Sequence, residues 1–136
     1  MRTLTDHIVP GDSSNHQLEI QVTDEPGAGG ANHRYEITGF DTKTNPSAKS
    51  SDLDSANFPY LLILFQNDPI KEASVNGITQ EALLAIVIDR LRSFQSGPYA
   101  CQENADALIC CESALLQLQE RTKKRLARGV EGTLSK

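Results

Sequence analysis

The stretch "FQSGPYACQENADALICCESALLQLQERTKKRLARG" (residues 94–129) decides the fold. Leu108, Cys111, Leu115, Leu118 and Thr122 recur within it at alternating spacings of three and four. That period places them on one face of a helix. Gly129 follows as a helix stop, because a glycine adopts the left-handed conformation that ends a helix without steric cost. Ahead of the run, Gly97-Pro98 reads as a joint, with glycine closing one helix and proline suiting the start of the next. The spacing predicts a second helix over 99–128, roughly 45 Å long at 1.5 Å per residue.

Immediately upstream, "TQEALLAIVIDRLRS" (79–93) carries its own stripe of Leu84, Val87, Ile88 and Leu91. Thr79 suits the N-cap, and Glu81 lies in the first turn, where the helix dipole favours a carboxylate. The joint is short, so the two helices return as an antiparallel hairpin. The first helix covers only about half of the second at the same rise per residue. The basic half of the second helix therefore requires the N-terminal sheet, another chain or water. The alternating three–four stripe favours a second copy, and homo-oligomerisation is expected.

Before the hairpin the chain has a different character. Residues 1–58 are rich in Gly, Ser, Thr, Asn and Asp. "HQLEIQV" (16–22) alternates with Leu18, Ile20 and Val22 on one side, and "HRYEITGF" (33–40) with Tyr35 and Ile37. The intervening "TDEPGAGGAN" reads as a glycine-rich turn. Residues 41–58 read as a polar, mobile loop. "YLLILFQ" (60–66) is apolar throughout and reads as a central strand, and the "VNG" at 75–77 as a turn. The expected class is α+β: an N-terminal antiparallel β region followed by a C-terminal antiparallel two-helix hairpin. One domain is expected over 1–136, with a β-rich region over 1–78, a hairpin over 79–129 and a tail over 130–136.

Charge narrows the function. The chain of 136 residues has a net charge of −5, yet residues 117–136 hold six cations against two acids. A cationic patch on an acidic body suits a small anion better than a long polyanion. Arg121, Arg125 and Arg128 fall at i, i+4 and i+7 and share a face, with Lys124 beside them and Lys123 pointing elsewhere. Cations at a helix C-terminus offset the dipole and by themselves need no ligand. Arginine predominates here, however, and its planar fork grips phosphate bidentately. Phe94, Tyr99 and Asn104 lie near the hairpin tip. A ring can stack on a base and an Asn amide can pair with a purine edge, although both aromatics could instead plug the corner. On one chain the tip and the basic end are about 30 Å apart. A single base-and-phosphate ligand could reach both only across two copies.

Three cysteines, Cys101, Cys110 and Cys111, make no disulfide framework, and they are expected to be reduced and packed as small apolar residues. No CxxC pair is present and the three histidines lie far upstream, so no metal site is expected. "MRTLTDHIVPG" lacks the apolar run of a signal peptide, and "YLLILF" is too short to span a bilayer. A soluble protein of the host bacterial cytoplasm is expected.

The segments "GPYACQENADAL" and "ALLQLQERTKKRLARGVEGT" resemble the helical hairpin shared by two phage immune-evasion families. These are the Thoeris anti-defence protein, first type, and the anti-CBASS protein, second type. The ending R-T-x-x-R-x-x-R-G-V-E-G-T, from Arg121 to Thr133, carries the resemblance, and a strand-rich N-terminal region with "FQNDPIKEASVNGITQEALLAIVIDRLRSFQ" favours the Thoeris type. The likeness spans about 65–133, and residues 1–58 match no motif. It implies a sponge rather than an enzyme, with no cofactor, that binds a cyclic ADP-ribose isomer and holds it intact. It further implies assembly as a dimer or hexamer, and in some members capture of cyclic di- or trinucleotides. By position in the motif it implies that Phe94 and Asn104 contact adenine and that Arg121 and Arg125 hold the diphosphate. Arg128 and Thr133 are implied as additions, and "DPIKEASVNG" as backbone lining of the pocket.

Three rival readings stand beside it. His7, His16 and His33 with Asp6, Asp12 and Glu36 could form a hydrolase metal site, but none has ligand spacing on an expected element. The basic helix could serve a nucleic-acid-binding regulator, although the acidic remainder repels a polyanion. The hairpin could also be purely an oligomerisation module.

Overall fold

The computed structural model describes residues 1–49, 52 and 60–136. It divides into two compact units, Met1–Asn67 and Asp68–Lys136. The expected inner division lay at 78/79, whereas the compact units divide at 67/68. The segment after 67 belongs with the hairpin because the Lys71 N–H donates to the Gly132 carbonyl.

The first unit is a four-stranded antiparallel sheet in the order β1-β2-β3-β4, formed by β1 (Arg2–Leu4), β2 (Glu19–Val22), β3 (Arg34–Thr38) and β4 (Leu61–Leu64). Ile20 faces Ile37 and Val22 faces Tyr35 across the β2–β3 pair, so the two alternating runs of the sequence meet in register. Val22 is buried, and Tyr35 meets Phe65 edge-on with ring centroids 5.6 Å apart. The glycine-rich turn between β2 and β3 contains a 3-10 turn over Ala28–Gly30, and the Ala28 N–H donates to Asn67.

Two expectations about this unit are corrected. The run 60–66 is not a central strand: among the described residues β4 pairs with β3 alone and lies at the sheet edge, with Leu61, Leu62 and Leu64 exposed. A continuous apolar run fits a strand buried on both faces equally well, and periodicity alone does not separate the two cases. The three-residue β1 was not anticipated, because so short a run shows no alternation. Of the loop expected to be mobile over 41–58, residues 50, 51 and 53–58 lie outside the described residues. Asp41 and Asn45 cap local turns within the described part, accepting from the Lys43 and Ser47 N–H groups.

Gly39 turns the chain after β3 at φ +93, and a Cβ there would stand 1.9 Å from the Gln17 carbonyl oxygen. At the other end of the β2–β3 pair, Asp24 accepts from the His33 N–H at 2.9 Å. Burial works against its charged form. The hydrogen bonds from His33, Arg34 and Asn32 outweigh that and hold the carboxyl below its ordinary value of 3.8.

The second unit holds α1 (Ile70–Ala73), α2 (Gln80–Gln95) and α3 (Gln102–Ala127). The class is therefore α+β, a sheet followed by a helical hairpin. Thr79 caps α2 as expected, its hydroxyl accepting from the Ala82 N–H at 3.1 Å. Ile88 is buried and Leu84 and Leu91 are half-buried, but Val87 is 44% exposed and Leu83 takes its place in the partly covered set. On α3 the stripe Leu108, Cys111, Leu115, Leu118 and Thr122 is half-buried throughout, and it continues to Arg125. An ion pair at 2.9 Å between Arg92 and Glu112 ties α2 to α3. Both side chains are well exposed, so it adds at most about 1 kcal/mol.

The second helix begins at Gln102 rather than 99. Cys101 is extended (φ −153) and its sulfur accepts from the Asn104 N–H, so the thiol serves as N-cap. Cys101 and Cys110 are exposed, against the expectation of packed thiols, because Cys111 occupies the stripe position and Cys110 is rotated off it. Among the described residues, Val22 and Ile88 are the buried apolar side chains.

Two outcomes follow from this geometry. Gly39→Ala should lower the unfolding free energy by about 1–3 kcal/mol in urea titration, from overpacking against backbone at a positive φ. A carboxylate with a depressed folded pKa contributes stability above its unfolded value and loses it as pH falls through the folded value. The stability of the sheet unit should therefore drop below pH 3.8, and Asp24→Asn should flatten that acid limb in circular-dichroism melts.

Candidate functional site

The C-terminal end of α3 is built as a Schellman motif. The Val130 N–H donates to the Arg125 carbonyl at 3.0 Å and the Gly129 N–H to the Leu126 carbonyl at 3.1 Å. Gly129 at φ 72 supplies the left-handed turn that the sequence predicts. The motif reverses the chain, so the residues after it fold back beside the helix they end. Residues 130–133 are half-buried as a result.

Arg125 fastens this reversal. Its Nε donates to Glu131 at 3.0 Å, its Nη2 to the carbonyls of Val130 at 2.9 Å and Thr133 at 3.0 Å, and its Nη1 to the carbonyl of Ser135. Only 12% of its side chain is exposed. The Thr133 hydroxyl donates to the Val130 carbonyl and accepts from the Ser135 N–H. Gly132 sits so close to α1 that a Cβ would come 2.8 Å from Ile70 Cγ1. The tail is thus tied to α3 on one side and to α1 on the other.

Beside the fastened tail lies an open groove of about 540 Å³, lined by Gln117, Glu120, Arg121, Lys124, Arg125, Arg128 and Lys136. Its lining holds five cations and one carboxylate, and the carboxylate of Glu120 is already paired with Lys123 at 3.3 Å. Lys123 thus lies off the cationic cluster, as the helical spacing indicates. Arg128 donates from Nη2 to the Lys136 carbonyl. The side chains of Arg121 and Lys124 make no hydrogen bond or ion pair with any described residue. The structure therefore brings together Arg121, Arg125 and Arg128, with Thr133 held in the tail that Arg125 binds. It presents a field of positive charge open to solvent, and such a field attracts phosphate.

At the opposite end of the hairpin, Phe94 is 39% exposed with the Arg90 guanidinium 5.4 Å from its ring centroid. Tyr99 is 75% exposed. Tyr99 therefore does not plug the corner, and Phe94 is partly covered. The Asn104 amide donates to the Tyr99 carbonyl at 3.4 Å, which aligns it with the tip loop. Asn104 and Arg121 are both on α3, about 26 Å apart along its axis at 1.5 Å per residue. Within one protomer the tip residues and the basic groove do not meet.

The sequence reading missed two participants. One is Glu131, whose pairing with Arg125 depends on the reversal at Gly129. The other is Arg90, which covers one side of Phe94 from the preceding turn of α2, an i, i+4 relation readable from spacing. Among the described residues no group of three or more His, Cys, Asp or Glu side chains could hold a metal, and no helix is long and apolar enough to cross a membrane.

With this geometry in view, comparison with known proteins is informative. A family model described as the Acb2/Tad1 hairpin domain matches residues 59–123. A similar curated protein is "Thoeris anti-defense 1" of Bacillus phage SBSphiJ7, 47% identical over 72 residues, which cover 53% of this chain and 51% of that protein. The chain thus spans about half the length of the curated relative it matches. The matched stretch takes in Phe94, Asn104 and Arg121, whereas Arg125, Arg128 and Thr133 lie beyond its last residue.

The close approach at Gly132 has a measurable consequence. Gly132→Ala should push the tail off Ile70 and speed amide exchange at Lys71 and Thr133, leaving exchange in α2 unchanged.

Proposed function

We propose that this protein is a phage anti-defence sponge that binds a cyclic ADP-ribose-type signalling nucleotide and holds it intact. The observation that carries the reading is the open groove lined by five cations, with Arg121 and Lys124 unpaired among the described residues, at one end of a hairpin similar to the Acb2/Tad1 type. The name of the Bacillus phage relative, Thoeris anti-defense 1, supports the setting. Sequestration requires tight binding of the ground state and gains nothing from preferring a transition state.

In this reading the phosphates lie in the groove around Arg121, Lys124 and Arg128. Arginine and lysine N–H groups donate charge-assisted hydrogen bonds to the diphosphate oxygens. Adenine stacks on the free face of Phe94, and the Asn104 amide reads its edge. The separation of tip and groove requires two subunits in antiparallel contact, one supplying the ring and the other the cations. The exposed Ile86, Val87, Ile109 and Leu116 on α2 and α3 supply apolar surface for that contact. Thr133 contributes through the tail. Cyclic di- and trinucleotides share the phosphate and base chemistry and are secondary candidates.

Calorimetry against cyclic ADP-ribose isomers, beside mass determination by light scattering, tests the proposal. The nucleotide should be recovered unchanged after heat denaturation of the protein; recovery of a hydrolysis product would make the protein an enzyme. Arg121→Ala should cost about 1.5–3 kcal/mol of binding while the assembled mass is kept. Arg121→Ala and Phe94→Ala subunits, each weakened alone, should regain wild-type affinity at one site per mixed dimer, because one of the two composite sites is then intact. Duplex DNA binding with steep salt dependence, together with indifference to ADP-ribose compounds, would instead favour a nucleic-acid-binding regulator.

A further inference from the structure

The geometry points to Arg125 as a positioning residue, the hub on which the tail is built, with the anion gripped by its neighbours Arg121 and Lys124. The inference rests on the proposed anion-binding role of the groove and divides labour among its cations.

A guanidinium has five N–H donors. Four of those on Arg125 are directed at acceptors of residues 130–135: the Glu131 carboxylate and the carbonyls of Val130, Thr133 and Ser135. Its backbone carbonyl takes a fifth tail contact, from the Val130 N–H. The charge is met by Glu131 at 3.0 Å, and the side chain is nearly covered. If Arg125 turned to a phosphate, three carbonyls and a carboxylate would lose their donors together, and Glu131 would face the incoming anion. Arg121 and Lys124 carry no such obligation. They stand at i and i+3, so they are neighbours on the helix surface, both line the groove, and neither is paired with a described residue.

The hub also reaches beyond α3. The tail that Arg125 holds delivers the Gly132 carbonyl to the Lys71 N–H and presses Gly132 against Ile70. Arg125 therefore sets the relation between the basic end of α3 and the segment 70–73. Lysine, with one ammonium in place of a planar fork, cannot serve these acceptors together.

The test combines titration of the full chain with cyclic ADP-ribose and with inorganic pyrophosphate, and amide hydrogen exchange of residues 71 and 130–133. Arg121→Ala and Lys124→Ala should each weaken both ligands by about tenfold or more and leave tail exchange at the wild-type rate. Arg125→Lys should weaken binding and accelerate tail exchange, although it preserves the charge. Glu131→Ala should do the same, with affinity falling despite the removal of a negative charge beside the groove. Wild-type affinity in Arg125→Lys, or tighter binding in Glu131→Ala, would overturn the assignment: the first means that the hub does not support the anion site, and the second that Arg125, once freed, meets the anion directly. Circular dichroism on Arg125→Lys and Glu131→Ala guards against reading global unfolding as a tail effect. If the wild type bound pyrophosphate but no cyclic ADP-ribose, the sponge reading would fail while the division of labour stood. If it bound neither ligand, the anion-gripping half would fall with the sponge reading, and unchanged tail exchange in Arg125→Lys would remove the hub as well.

Discussion

A helix of 26 residues paired with one of 16 leaves about 15 Å of α3 without a helical neighbour. That mismatch governs the second unit. The half-buried stripe continues past the end of the shared length to Thr122 and Arg125. Something must cover it, and part of the cover is the chain's own tail, turned back by the Schellman reversal at Gly129. The sequence reading considered a sheet, another copy or water for this role. Residues 130–133 supply a fourth answer through hydrogen bonds rather than through apolar area.

The same device explains the charge pattern. A run of five cations in 121–128 would repel itself if all of them shared one surface. Here Lys123 is drawn off by Glu120, and Arg125 is turned inward and neutralised by Glu131. Arg121, Lys124 and Arg128 are left facing the groove. The acidic residue in "GVEG" has a place beside a basic helix because it compensates the one arginine that lies in the stripe.

Legibility in the sequence followed the strength of the local signal. The α2 cap at Thr79, the α3 stripe, the stop at Gly129 and the β2–β3 alternation all rest on periodicity or on a single residue's backbone preference, and all stand in the structure. The start of α3 was misread by three residues, because Pro98 looks like a helix opener whereas the extended backbone of Cys101 sets the cap. The edge position of β4 was illegible, since an apolar run does not state which of its two sides a neighbour occupies. The candidate site was legible as a list of residue types. Which arginine is committed to the protein and which face solvent was not.

Sequence alone determined the order of elements, the antiparallel return of the hairpin and the concentration of cations at one end, because each depends on spacing and charge within a few turns of chain. Tertiary structure decided the strand order at the sheet edge, the pairing of Arg125 with Glu131 and the contact of Gly132 with Ile70. Those outcomes depend on where a reversed backbone delivers its carbonyls and on which donors stand within about 3 Å of them. No one-dimensional pattern contains that information, since residues 70 and 132 become neighbours only after the hairpin and its tail have closed.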